Sequence, residues 1–160
     1  MGYSTYFNGR FVLNKPLDEE LYNYLIQFST TRHIKRDLPP KYGVEGEFYI
    51  DKRKGFNLRD EDSITIIDHN HYPSTQPGFY CCWEPSDDRC GIEWNQKEKF
   101  YTYIEWLEYI IKNFLAPKNY ILNGTVEYEG EKRFKDRGRI IVIHNEVSVD
   151  VINQEIRYLC

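Results

Sequence analysis

The sequence predicts an α+β fold: an antiparallel sheet in the ferredoxin-like βαββαβ order with two helices on one face, an irregular insertion over 33–77 and an extra C-terminal β-hairpin. Three observations predict it. Side chains alternate with period two near both ends of the chain. Two segments instead carry apolar residues at helical spacing. Between them lies an aromatic hairpin bounded by Gly and Pro. At 160 residues the chain is expected to form a single domain, 1–160, with its own core.

Residues 3–13 read as the first strand. Tyr3, Thr5, Phe7, Phe11 and Leu13 fall on one face about Gly9, while Ser4, Tyr6, Asn8, Arg10 and Asn14 fall mostly on the other. Pro16-Leu17-Asp18 opens a helix with Asp18 as its N-cap, and Leu21, Tyr24, Leu25 and Phe28 are spaced for one buried stripe. The helix is expected to fade over 29–32.

Residues 33–77 lack regular periodicity. Pro39-Pro40, Gly43, Gly46 and Gly55 punctuate them, charges crowd 52–62, and 48–50 and 64–67 are candidates for brief strands. A connection this long in a small domain is functional or mobile as a rule. Strands at 79–84 and 91–95 then form a hairpin in which Trp83 meets Trp94.

A helix is expected over 97–115. Phe100, Tyr103, Ile104, Leu107, Ile110, Ile111 and Phe114 form its stripe, and Pro117 ends it. Residues 120–129 alternate again, with Leu122, Val126 and Tyr128 on one face. A charged loop over 130–137 and a hairpin of 139–144 with 146–152, turning at Asn145, complete the chain.

Composition narrows the functional classes. Aromatics are 16% of residues and 14 of them are Tyr, a residue that suits half-polar cores and adhesive surfaces alike. A net charge of −4 does not fit a protein that binds chiefly by neutralising phosphates, so nucleic acid is not the expected partner. No basic-then-apolar leader and no membrane-length apolar run are present, which makes the expected location cytoplasmic, with no membrane partner. Cys81, Cys82, Cys90 and Cys160 lack zinc-site spacing and read as reduced thiols. No cofactor and no metal are expected.

The chemistry-bearing residues gather on the sheet face turned away from the helices. Tyr6 and Arg10 of the first strand, Tyr80, Glu84 and Glu93 of the hairpin, and Asn123 and Glu127 of the fourth strand would share it, Cys82 among them. Polar groups beside aromatic walls suit a ligand-binding site; a solvated face with weak Arg–Glu pairs is the plainer alternative.

Asp68-His69-Asn70-His71 reads as a turn with Asx bonding rather than a metal site, and the basic run Arg32-His33-Ile34-Lys35-Arg36 as a helix end. Glu93 with Glu98, or Glu105 with Glu108, offer carboxylates without fixed geometry. No phosphate loop, nucleophile elbow or H-E-x-x-H motif occurs, so catalysis is not the expected role.

Several short runs resemble a family of small uncharacterised proteins of bacteria and their phages. They are Tyr3-Ser4-Thr5-Tyr6-Phe7, Gly9-Arg10-Phe11, Pro16-Leu17, Thr31-Arg32-His33 with Lys35-Arg36, Gln76-Pro77-Gly78, Trp83, Pro85 and Glu93-Trp94. The resemblance is densest over Glu98-Lys99-Phe100-Tyr101, Tyr103, Glu105-Trp106-Leu107, Phe114-Leu115-Ala116-Pro117 and Leu122-Asn123-Gly124. It implies a bacterial or phage protein and carries no catalytic residue across. A phage setting would fit an accessory protein that counters a host defence.

The expected function is therefore a non-catalytic binding module. Its open sheet face, bounded by residues 33–77, would take a small molecule, nucleotide-like among the options, or a host protein; self-association is a further option. One alternative is an inhibitor acting through Tyr101, Glu105, Glu108 and Tyr109 on the second helix. A small hydrolase or transferase is another.

Overall fold

The computed structural model describes residues 2–51, 64–132 and 136–152. In chain order its elements are β1 (Thr5–Asn8), β2 (Arg10–Leu13), α1 (Glu19–Phe28), β3 (Lys35–Arg36), β4 (Ile66–Asp68), β5 (Trp83–Pro85), β6 (Gly91–Trp94), α2 (Tyr103–Ile110), β7 (Leu122–Gly130), β8 (Arg137–Ile143) and β9 (Glu146–Ile152). Among the described residues this is a mixed α+β fold with antiparallel strand pairing and two α-helices.

The main sheet runs β5-β6-β2-β7-β8-β9, with β1 also paired to β7. That strand order differs from the expected ferredoxin-like sheet with a separate hairpin. The last hairpin is no appendage: β7 is long enough to pair with β1 and β2 along one edge and with β8 from Gly124 to Glu129 along the other, so β8 and β9 widen the same sheet.

β1 and β2 are one run broken at Gly9, where φ is 109°. A Cβ there would stand 3.1 Å from the Thr125 carbonyl oxygen, in a conformation L side chains rarely adopt. The register with β7 carries through the break, from Thr5 opposite Gly130 to Leu13 opposite Leu122.

Period-two alternation turns Phe7, Phe11 and Leu13 into one core with Trp83, Ile92, Leu122, Val126 and Ile140, and α1 and α2 cover that core with Leu21, Leu25, Phe28, Trp106, Leu107 and Ile110. The Phe7 ring meets Trp83, Trp94 and Tyr103 edge-on at 5.2, 5.3 and 5.1 Å. Trp83 and Trp94 are direct cross-strand partners, as expected. Ser4 departs from the alternation. It is buried, because its N–H donates to Glu131 Oε1 at 2.6 Å before the strand begins.

Asp18 caps α1: the Leu21 N–H donates to its Oδ1 at 2.7 Å, and Glu19 and Glu20 sit in the positive first turn. Asp18→Ala is expected to cost about 1 kcal/mol, read as a lower urea midpoint with an unchanged slope.

The second helix starts later than its periodicity suggested. Lys99 and Thr102 take left-handed φ values of 61° and 52°, and the Thr102 hydroxyl donates to the Pro77 carbonyl at 3.1 Å. Phe100 is buried from this irregular approach rather than from the helix. After Ile110 the chain widens into a π-turn over Ile111–Leu115 and tightens into a 3₁₀ turn over Ala116–Lys118. Pro117 is accommodated in the first turn of that piece, where its missing N–H is not needed. Asn119, at φ 63°, ends it.

The strand expected over 79–84 shortens to Trp83–Pro85, and Cys82, expected on the open face, is buried next to buried Cys81. Burial pushes the Cys82 thiol up to about 12 and raises Cys81 as well. His144 and Asn145, at φ 48° and 70°, form the tight two-residue turn between β8 and β9.

Within the insertion, 48–50 is not a strand. Tight turns cover Pro40–Tyr42 and Val44–Gly46, and β3 pairs with β4 as a small separate ribbon. The basic run is spent holding it. Arg32 donates to the His69 carbonyl at 2.8 Å and lies over Phe79, Arg36 lies over Tyr49 and donates to Thr65 Oγ1, and Lys35 meets Glu45 at 3.5 Å. Asp68 accepts from the Asn70 N–H and pairs with His71 at 2.6 Å, closing the expected Asx turn. The charged stretch over 52–62, part of the 130–137 loop and Cys160 lie outside the described residues.

The described insertion packs on the helix layer and not, as expected, beside the open sheet face. Tyr109 Oη donates to buried Glu47 Oε1 at 2.7 Å. Gln76 Nε2 donates to the Glu47 carbonyl at 2.7 Å and to Tyr109 Oη at 3.1 Å, and Tyr24 Oη donates to the Phe48 carbonyl at 2.6 Å. Tyr109 is thus a buried clasp and not part of an exposed interaction surface on the second helix, which removes a named residue from that alternative. Tyr109→Phe leaves Glu47 short of a donor and is expected to cost about 1–3 kcal/mol in urea unfolding.

Candidate functional site

Because odd-numbered side chains of β1 and β2 enter the core, the even-numbered ones emerge on the opposite side of the sheet. Tyr6 is 49% exposed, Val12 47% and Ile143 61%. With them stand Asn8, Thr125, Glu127 and Arg139, all exposed. No packed layer is needed there, since strands with one solvated face are common in antiparallel sheets.

Strand register arranges this face into cross-strand rows. Glu84, Glu93 and Arg10 form one across β5, β6 and β2. Asn8, Glu127, Arg139 and Asp150 form a second, and Tyr6, Glu129, Arg137 and Ile152 a third. Val12 and Asn123 are neighbours in a fourth. The second and third rows bound a cleft of about 470 Å³ lined by Tyr6, Asn8, Glu127, Glu129, Arg137 and Arg139, among others.

Of the residues predicted to share the site, Tyr6 and Glu127 meet in that cleft. Arg10 lies on the same face but is committed. Its Nη1 donates to both oxygens of Asp88 at 3.0 and 2.9 Å and to Ser86 Oγ at 3.2 Å, tying β2 to the turn between β5 and β6. Hydrogen bonds from Ser86 and the Cys90 backbone, together with Arg10, hold the Asp88 carboxyl down to about 2.

Glu84 and Glu93 stand directly opposite each other. Burial first, then Glu93 and Asp87, raises the Glu84 carboxyl above its ordinary range. Asn123 is structural: its Oδ1 accepts the His144 N–H at 2.8 Å and secures the last turn. Tyr80 is exposed but lies ahead of β5, outside the strand rows.

Glu129, Arg137 and Arg139 are the residues that sequence reasoning missed; Asn8 was placed on this face but not named as a site residue. A signal was present in Arg137-Gly138-Arg139-Ile140-Ile141-Val142, where the two arginines alternate with the positions that Gly138, Ile140 and Val142 bury. Placing 137 in a charged loop hid it.

The arrangement offers two cations, two anions, an amide and an exposed ring within one shallow depression. Such a set can pair with groups of either charge and can hydrogen-bond through the Asn8 amide. Among the described residues, no group of three or more His, Cys, Asp or Glu side chains converges as a metal site, and no helix is long and apolar enough to cross a membrane. Comparison with protein-family models, curated proteins and solved structures returned no match to this chain.

Proposed function

We propose that this chain is a non-catalytic binding module whose open sheet face recognises a polypeptide partner of mixed charge. The single observation that carries the reading is a sheet face that no described residue packs over, with its charged rows around the Tyr6 cleft. Six strand positions at about 4.8 Å spacing make a platform about 24 Å across its outer strands, wider than a small ligand needs. Exposed ion pairs such as Arg139 with Asp150, 3.5 Å apart, contribute little to folding. Alternating charges can instead set partner register and exclude partners of one sign. Tyr6 supplies the large amphipathic side chain common at such contacts.

A photo-crosslinking side chain at Thr125, exposed at the centre of the face, tests this. The expected result is a covalent adduct to one partner in cells, lost when Arg137→Glu and Arg139→Glu are combined and retained when Glu108, exposed on α2, is changed to Lys. Adducts that ignore the two arginines, or that form only from a crosslinker placed at Glu108, would refute the reading.

A further inference from the structure

Among the described residues nothing pairs with β9 on the side away from β8, so β9 is an edge of the main sheet. Its sequence, Glu146-Val147-Ser148-Val149-Asp150-Val151-Ile152, runs along β8 without a bulge and contains no Lys and no Pro. Folded chains usually blunt a long edge with such devices, because its free N–H and C=O groups are a template for another strand. Asp150, the charge in the second half of the strand, is turned across the sheet to Arg139.

The turn decides which backbone groups face outward. A two-residue turn closes on a bonded pair, here Ile143 with Glu146, so by alternation the even residues of β9 spend their backbone groups on β8. Val147, Val149 and Val151 present theirs outward.

The same valines share the helix-side face of the sheet. Val147 lies opposite buried Val142, Val149 opposite buried Ile140 and Val151 opposite buried Gly138. Val147 still packs against the core, but Val149 is 42% exposed and Val151 63%. The apolar row thus runs from the core to the rim of the sheet, where no described residue covers it.

The charge pattern selects the occupant. Two copies of β9 can pair antiparallel about a two-fold axis, with residues of like parity opposite each other. An axis at Ser148 sets Glu146 against Asp150 of the second copy, and one at Asp150 sets that residue against itself; both oppose like charges. Axes at Val147 or Val151 pair only 146–148 or 150–152. An axis at Val149 pairs the whole strand: Val147 with Val151, Val149 with Val149, Ser148 with Asp150 and Glu146 with Ile152. No like charges stand opposite each other, and a hydroxyl faces a carboxylate. Each valine pair brings together outward backbone groups and exposed side chains.

We propose that β9 is a self-association edge through which two copies of this chain join about a two-fold axis at Val149, making one continuous sheet. The proposal goes beyond the open-face reading and makes no use of the Tyr6 cleft, so either can fail alone.

Sedimentation velocity of the whole chain over a range of concentrations tests it. The expected result is a monomer–dimer equilibrium with a Kd of about 100 µM or tighter. Val149→Lys sets two ammonium groups against each other at the axis and should weaken the dimer about tenfold or more. Should that variant fold poorly, exposed Ser148 carries the test. Ser148→Lys faces Asp150 of the second copy and should tighten the dimer about threefold, whereas Ser148→Asp should weaken it about threefold. The same two changes at Thr30, exposed near the β5 end of the sheet, control for net charge and should shift nothing. A chain that stays monomeric, an open-ended oligomer, a dimer indifferent to the charge at position 148, or equal shifts from Thr30 would overturn the proposal.

Discussion

Trp106→Ala is expected to cost about 3–5 kcal/mol, the largest effect of any single substitution considered for this chain. Trp106 is fully buried, and its indole meets the rings of Phe28, His33 and Tyr109 at 5.9, 5.4 and 5.4 Å. It joins α1, the start of the insertion and α2, so the cavity left by alanine cannot collapse from one side alone. Domains of this kind have about 5–15 kcal/mol in hand, and the variant should unfold at a much lower urea concentration.

Trp106→Phe should cost far less. The indole Nε1 is buried without a partner, so phenylalanine discards an unsatisfied donor along with the lost ring area. If the alanine variant matched the wild-type midpoint, the packing described around Trp106 would be wrong.

The second large effect is expected in acid. His33 is buried between Phe28 and Trp106, with centroids 4.3 and 5.4 Å away. Burial lowers its pKa from 6.5 to about 4; the hydrogen bond to the Phe28 carbonyl opposes that shift, and nearby Arg36 adds to it. The unfolded chain therefore takes up a proton at higher pH than the folded one. The stability associated with neutral His33 is full above about pH 6.5 and falls away as pH drops toward about 4, by about 3 kcal/mol in all. Urea unfolding across that window should show it, and His33→Gln, which retains an N–H donor but does not titrate there, should flatten the slope. An unchanged slope in that variant would assign the acid sensitivity elsewhere.

Local patterns carried a good part of the fold. Asp18 announced its helix because capping depends on residues three apart, and Trp83 found Trp94 because a short hairpin leaves little choice of register. The alternation about Gly9 correctly separated Phe7 and Phe11 from Tyr6 and Val12. Other features had no local signature. The left-handed Thr102 cut a turn and more from the expected second helix, although Phe100 matched the helical stripe and is buried. Tyr109 is buried by Glu47, 62 residues away, and Arg10 is taken up by Asp88, 78 residues away. Partnerships of that span depend on how the chain returns, which periodicity does not encode.

The adjacent thiols of Cys81 and Cys82 give the molecule a built-in unfolding clock. Both are shielded, and burial keeps both protonated far above neutral pH, so an alkylating reagent should meet an unreactive pair while the β5 hairpin is closed. Their labelling rate would then report how often that end of the sheet opens, without any engineered probe. A substitution that loosens the hairpin should quicken it; one confined to the Tyr6 cleft should not.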